Sequence, residues 1–411
     1  MVPGIKIDRD KVIAEKINSY LWLLFIICFL GNVLGGTAST LISVYLPVLV
    51  KDILGLVDDN QVNRVSSYIS AFYLIGWAVG GLTFGVLGDR IGRVRSLALS
   101  IAMYGLFTLL IAFASSWELI VVFRFFCGFG VGGMLVINTT LLSEIWPERT
   151  RAIFIGVLSI GFPVGIFSSG AINFFVSNWR QAFMTGMIPL ALGIISIGLL
   201  QESAIWKVSH AQRKENKSSG TIGTHRGDIV NGSIIFGSML IGLWAIFSWV
   251  PTWVQTLLTN SEGQSERSLS MMLLGAGGLT GGFFSGWFAN ALGTRKAMQL
   301  CFAGCFIISF LLFKLNSVFT IVTIIEIALL AFMFGISQGL LSVYIPLLFP
   351  VNIRATATGL CFNVGRFFTA IAVFFVGALV TTLGGYSNSL FVFSAVFLVG
   401  LLFIVFSKKA D

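Results

Sequence analysis

Residues 85–95 read Gly85-Val86-Leu87-Gly88-Asp89-Arg90-Ile91-Gly92-Arg93-Val94-Arg95, a glycine-spaced and charge-dense turn between two long apolar stretches. A fainter copy stands further on as Gly286-Trp287-Phe288-Ala289-Asn290-Ala291-Leu292-Gly293-Thr294-Arg295-Lys296. One short polar turn at matching places in two halves implies a duplicated bundle. Its apolar flanks imply that the bundle sits in a bilayer.

Composition agrees. Of 411 residues, 56% are hydrophobic and 10% charged, whereas a soluble domain carries about 25% charged residues. Twelve apolar runs lie near 20–50, 65–87, 96–114, 118–144, 151–176, 180–200, 232–257, 268–290, 297–313, 318–348, 355–383 and 388–407. Each approaches or exceeds the roughly 20 residues that a helix needs to cross a bilayer. Strands would cross only as a closed barrel with alternating polar and apolar residues, and these runs do not alternate. The expected fold is all-α and integral to the membrane, with twelve transmembrane helices in two six-helix repeats.

The net charge of +9 does not point to nucleic acid, because of where it falls. With a cytoplasmic N-terminus, nineteen Lys and Arg lie in inner loops and tails. Five lie outside (Lys51, Arg64, Arg180, Arg267, Lys314) and two within helices (Arg124, Arg366). That bias is the positive-inside rule, so both termini are expected in the cytoplasm of a multi-pass inner-membrane protein. The first apolar run is too long, and lacks the small-residue cleavage site, for a removable signal peptide. All five cysteines fall inside spans, which argues against a disulfide framework or a thiolate metal site.

The long polar stretch Gln201–Asn231 divides the spans six and six. The expected organisation is residues 1–200, a cytoplasmic linker at 201–231, and residues 232–411. The repeat extends beyond the hairpins. Ser143-Glu144-Ile145-Trp146-Pro147-Glu148-Arg149-Thr150-Arg151 follows span four, and Leu347-Leu348-Phe349-Pro350-Val351-Asn352-Ile353-Arg354 follows span ten. Pro147 and Arg151 match Pro350 and Arg354 at equal spacing. Parallel repeats of this kind bind substrate near the midplane, between the halves.

With these residues in view, the chain resembles a transporter of the major facilitator superfamily over essentially its whole length. The 85–95 hairpin fits that superfamily's loop signature, and Arg124 with Gly128 fits its fourth-helix motif. Glu144 with Pro147 and Arg151, Trp179-Arg180, and Glu202-Ser203 with Trp206 resemble the branch of sugar porters and aromatic-acid or organic-ion transporters. The resemblance implies secondary transport and no enzymatic activity. Both histidines, His210 and His225, lie in the central loop, and no nucleophile or metal constellation is present. No cofactor is called for, and a monomer in the lipid bilayer is expected.

In the hairpin, Gly85 and Gly92 permit close helix approach and a tight turn. Asp89 can accept hydrogen bonds or pair with arginine. Arg90, Arg93 and Arg95 lie within reach of Glu144, Glu148 or lipid phosphate. With Arg151 and Arg354 this set is read as a cytoplasmic gate, the alternative being a merely orientation-setting basic turn. In the second half Asn290 replaces the acid, and Leu347 stands where Glu144 would be. The gate is therefore expected to be weaker there.

Ionisable residues inside a bilayer are costly and are functional candidates by default. Arg366 lies twelve residues beyond Arg354, roughly 18 Å along a helix at ~1.5 Å per residue, near the midplane. An arginine fork there suits a carboxylate. The string Asn363-Val364-Gly365-Arg366 resembles the eleventh-helix segment of aromatic-acid and related organic-anion transporters, and that likeness assigns Arg366, with Asn363 beside it, to the substrate anion. An Arg366–Glu326 pair that only packs helices is the alternative. Glu326, in span ten, is the candidate proton carrier. Arg124 is a substrate candidate with a structural or coupling role as its alternative. Phe247, Trp249 and Gln255 around Pro251, Asn32, Thr37 and Ser39 in span one, and Gln338 and Tyr344 in span ten are further polar or aromatic candidates. Proton symporters of the resembling branch usually have an aspartate in span one, and none stands between Tyr20 and Val50, which leaves Glu326 as proton carrier, protonation of the substrate acid itself, or plain facilitated diffusion. The expected cargo is a small organic anion, a mono- or aromatic carboxylate, moved with a proton. A neutral sugar is the alternative cargo; drug efflux and a non-transporting sensor stand behind it.

Overall fold

The computed structural model describes residues 18–55, 59–203, 206–207, 226–258, 263–349 and 354–407. Among them the regular structure is helical throughout and contains no strand. Twelve helices are long and apolar enough to cross a membrane. They are α1 (Ser19–Leu54), α2 (Asp59–Ile91), α3 (Arg93–Ile111), α4 (Trp117–Ile145), α5 (Glu148–Phe175) and α6 (Trp179–Leu199). The second set is α7 (Arg226–Phe247), α8 (Gln264–Leu292), α9 (Thr294–Leu315), α10 (Ile321–Leu347), α11 (Arg354–Thr382) and α12 (Tyr386–Phe406). Each apolar run of the sequence became one helix except 232–257, which is broken after Phe247, and several overrun their apolar run at the polar ends. There, side chains satisfy the free N–H groups of the first turn. Asn18 accepts from the Leu21 N–H at 2.9 Å, and Asn178 from that of Arg180 at 2.9 Å. Past Phe247 the chain breaks and resumes as a short helix, Val250–Thr256, in which Pro251 occupies the first turn, where a missing N–H costs nothing.

Packing repeats with the sequence. In the first six helices α2 lies on α4, α1 on α5, and α3 on both α4 and α6; the equivalent pairs α8–α10, α7–α11, α9–α10 and α9–α12 recur in the second six. Across the two sets α5 packs on α8 and α11 on α2, which are again equivalent pairs. The molecule is thus two six-helix repeats facing each other.

Lipid supplies no hydrophobic drive for helices to associate, so small residues that let backbones touch take over. On the α2–α4 seam, a Cβ at Gly76 or Gly80 would collide with the Phe125 or Phe129 carbonyl, and one at Gly128 or Gly132 with those of Tyr73 or Trp77. Gly281 lies equally close to Phe332 O on the equivalent α8–α10 seam. This contact sets the depth at which Trp77 sits.

Both hairpins turn on a glycine that L side chains rarely replace. Gly92 has φ +109° and Gly293 φ +78°. Gly92 has a second constraint, because a Cβ there would strike the carboxylate of Glu202. Glu202 accepts from the N–H groups of Arg93 at 2.7 Å and Val94 at 3.2 Å, capping the start of α3. Trp206 donates its indole N–H to Asp89 O at 3.0 Å. The segment after α6 therefore clamps the hairpin from outside the bundle.

Gly92→Ala should lower stability by about 1–3 kcal/mol, the range for a strained backbone position, and displace Glu202. Gly293→Ala, with open space around its Cβ position, should cost less. Thermal unfolding of both variants in detergent checks the order.

Candidate functional site

The two intramembrane arginines have opposite surroundings. Arg124, on α4, is 1% exposed. It donates to Ala38 O at 2.8 Å and Ser39 O at 3.0 Å, with its guanidinium carbon 3.9 Å from the Tyr73 ring centroid. The Tyr73 hydroxyl in turn bonds the Ser39 hydroxyl. Arg124 thus ties α4 to α1 and steadies Tyr73 on α2. Arg366, half-buried on α11, is answered far less completely. It reaches Asn363 Oδ1 at 3.5 Å, the limit of a hydrogen bond. Its guanidinium carbon lies 5.8 Å from the Trp77 ring centroid. Among the described residues no carboxylate pairs with it.

Around Arg366 stands an aromatic cluster drawn from both repeats. Trp77 (α2) meets Trp244 (α7) edge-on at 5.2 Å, Tyr73 at 5.8 Å and Phe162 (α5) at 5.6 Å. Asn363 Oδ1 lies against Gly81, one turn beyond Trp77 on α2. A cation, an amide and flat apolar rings therefore meet where α2, α5, α7 and α11 converge. Trp77 Nε1 and Gln338 Nε2 are buried without a hydrogen-bond partner. Such an arrangement can hold a flat anion: guanidinium for the charge, rings for the body.

Other candidates take their partners elsewhere. Asn32 donates to Leu158 O at 2.8 Å and accepts from Asn138 at 3.0 Å, binding α1 to α5 and α4. Thr37 bonds Gly165 O at 3.2 Å. Phe247 packs edge-on against Phe334 at 5.0 Å. Trp249, fully buried, lies 5.7 Å from the Tyr386 ring, and Gln255 bonds Arg267. Tyr344 donates to Ser407 Oγ at 2.9 Å. Glu326 accepts from Asn316 at 2.6 Å, in the turn between α9 and α10, and forms no ion pair with Arg366.

The two ends of the bundle are built differently. At the hairpin end, Arg93 bridges Asp89 at 2.7 Å and Glu144 at 3.0 Å, all within the first repeat. Arg90 and Arg95 are exposed. Arg151 donates to Trp146 O at 3.2 Å. Arg354 begins α11, and its side chain is outside the described residues. In the second repeat Arg295 donates instead to Ile404 O and Val405 O, with Asn290 and Leu347 supplying no acid. Gly156 on α5 and Gly286 on α8 face open space at this end, and Ile153, Val157 and Trp287 are exposed.

At the far end neutral bonds join the repeats. Gln264 donates to Asn173 O at 2.6 Å, Ser268 to Asn173 Oδ1 at 2.7 Å, and the Gly377 N–H to Ser67 Oγ at 2.9 Å. The Tyr386 hydroxyl bonds Asn63. Gly170 and Gly275 bring α5 and α8 into backbone contact here. Trp179 and Arg180 also belong to this end, both bonded or paired to Asp52.

Sequence reasoning named Arg366 and Asn363 but missed Trp77, Tyr73 and Phe162. With 39 Phe and 10 Trp in the chain, an aromatic residue in a span carries little signal by itself. The available cue was Trp77 placed between Gly76 and Gly80, on the face that meets α4.

Comparison with known proteins agrees with this architecture. The chain is 26% identical over 414 residues to the cis,cis-muconate transport protein of Acinetobacter baylyi, covering 96% of each. It is 25% identical to the gallate transporter of Pseudomonas putida, over 92% of this chain and 89% of that one. Among solved structures, the inward-open xylose transporter XylE from E. coli superposes with a TM-score of 0.76 at 18% identity, covering 95% of this chain and 97% of that one. Residues 28–372 match the Major Facilitator Superfamily, and the chain, a multi-pass membrane transporter and not an enzyme, belongs to it.

Proposed function

We propose that the protein moves a small organic anion, a mono- or aromatic carboxylate, together with a proton, by alternating access. One observation carries the reading: Arg366 is a cation over Trp77, a member of an aromatic cluster between the repeats, with no anionic partner among the described residues. A carboxylate is the missing partner, because the guanidinium fork donates two parallel hydrogen bonds to it. Asn363 lies beside the fork at 3.5 Å, and the ring cluster packs the body of the substrate. Relatives named for muconate and gallate transport support the same class of cargo.

In this reading residues 1–200 and 232–411 are the moving units, joined by the stretch 201–231, whose last residues from Arg226 onward already belong to α7. The basic hairpin end faces the cytoplasm, as do both termini. The neutral far-end bonds hold the outer side shut while the inner side stands open, an inward-facing state. The Asp89–Arg93–Glu144 cluster keeps the first repeat rigid as it rocks. Glu326 is the proposed proton carrier, since protonation weakens its charge-assisted bond to Asn316. The unit of transport is a monomer, with no nucleic-acid or metal partner.

Uptake of labelled benzoate into proteoliposomes tests the site. Arg366→Ala should weaken substrate affinity roughly ten- to a hundredfold, the effect of losing a charge-assisted bond of about 1.5–3 kcal/mol, and Arg366→Lys should restore part of it. Undiminished uptake by the alanine variant would remove Arg366 from binding. Glu326→Gln should keep substrate exchange but lose accumulation driven by a pH gradient; retained accumulation would exclude Glu326 from coupling. For the outer seal, spin labels at Glu118 and Ser317, exposed on opposite repeats, should report a longer far-end distance in Tyr386→Phe. Its population should rise about fivefold, the shift that ~1 kcal/mol of hydrogen bond sustains.

A further inference from the structure

Three of the six buried indoles among the described residues donate to a side-chain oxygen. Trp146 donates to Thr150 at 3.0 Å, Trp179 to Asp52 at 3.0 Å and Trp253 to Ser387 at 2.8 Å. Trp77 does not: it is 7% exposed, and its Nε1 is buried with no partner. A desolvated N–H without an acceptor is destabilising, and the nearby hydroxyl of Tyr73 is already engaged with Ser39. Trp249 shares the defect, but it lies against Tyr386 in the far-end seal. Trp77 alone combines an unanswered indole N–H with a place beneath the Arg366 guanidinium.

Geometry separates the two donors. The guanidinium lies over the face of the Trp77 ring, whereas Nε1–H points outward in the ring plane. Hydrogen bonds weaken steeply away from linearity, so a carboxylate seated on the Arg366 fork above the ring is badly aligned for Nε1. A second acceptor atom is needed, separated from the carboxylate by a rigid body that packs beside the mutually contacting rings of Trp77, Phe162 and Trp244. The guanidinium carbon is 5.8 Å from the Trp77 ring centroid, so the two donors belong to one site.

We propose that Trp77 is a specificity-determining donor, its Nε1 bonding an oxygen at the end of the substrate remote from the carboxylate. The site then selects flat, conjugated carboxylates bearing a second oxygen, a hydroxyl or a second carboxylate, over unsubstituted acids. This rests on the reading that Arg366 holds the carboxylate. Discrimination comes from the unpaired donor: a ligand lacking the oxygen leaves it unsatisfied, which a site built to bond an oxygen penalises.

The test measures inhibition of labelled benzoate uptake in proteoliposomes by 3-hydroxybenzoate, 4-hydroxybenzoate and 4-methylbenzoate. In the wild-type protein at least one hydroxybenzoate should compete more strongly than 4-methylbenzoate, which fills similar space without an acceptor. Trp77→Phe, which keeps a ring and removes the N–H, should reduce that preference roughly tenfold. An unchanged preference in a monodisperse Trp77→Phe protein overturns the proposal. So does the absence of any preference in the wild-type protein, which needs no variant to fold. Arg366→Ala separates the two claims. If it abolishes benzoate uptake while Trp77→Phe leaves the preference intact, only the role of Trp77 fails. If it transports undiminished, the carboxylate reading fails first.

Discussion

A guanidinium in the middle of a bilayer has to be answered by carbonyls, by an anion or by water, because hydrocarbon offers none of these. The protein contains both kinds of answer. Arg124 is met by two carbonyls of α1 and the face of Tyr73, and it is spent on holding the first repeat together. Arg366 has one long contact to an amide and a ring at a distance. The difference between them separates a structural cation from one kept available. In the function proposed, the aromatic cluster, the unpartnered Trp77 and the crossing of α2 and α11 serve that available cation.

Movement around such a site requires two stiff bodies and weak joints between them. Stiffness comes from glycine seams, where α2 lies on α4 and α8 on α10 with backbones in contact, and from polar ties such as Asn32–Asn138 inside one repeat. The joints at the far end are neutral hydrogen bonds, each worth on the order of 1 kcal/mol net. Few enough of them can break together within the energy that differential substrate binding provides. The charged cluster at the hairpin instead stays inside the first repeat, where Arg93 links α2, α3 and α4.

Much of this was legible in the chain. The hairpin at 85–95, its copy at 286–296 and the matched Pro147–Arg151 and Pro350–Arg354 spacings announce two repeats, and twelve apolar runs announce twelve helices. Arg366 stood out because charge inside a span is rare. Residues whose importance depends on what faces them were not legible. Trp77 is one tryptophan among ten until α7, α5 and α11 are placed around it. Asn32 looks like a ligand-binding amide until Asn138 and the Leu158 carbonyl consume its hydrogen bonds. Glu326 reads as an intramembrane acid because it stands within the apolar run of span ten. In the structure it lies five residues into α10 and is held by Asn316 of the preceding turn. Periodicity and repeat matching fix a residue's depth and helix; they do not say which face of the helix is shared.

The central claim is that Arg366 reads negative charge and that shape alone does not suffice. It is tested most directly by comparing benzoate with benzamide, nearly identical in shape and different in charge, as quenchers of tryptophan fluorescence in the purified protein. The account predicts saturable quenching by benzoate, with benzamide neither quenching nor competing, and loss of the benzoate signal in Arg366→Ala. Equal competition by the amide, or benzoate quenching that survives in Arg366→Ala, would contradict it.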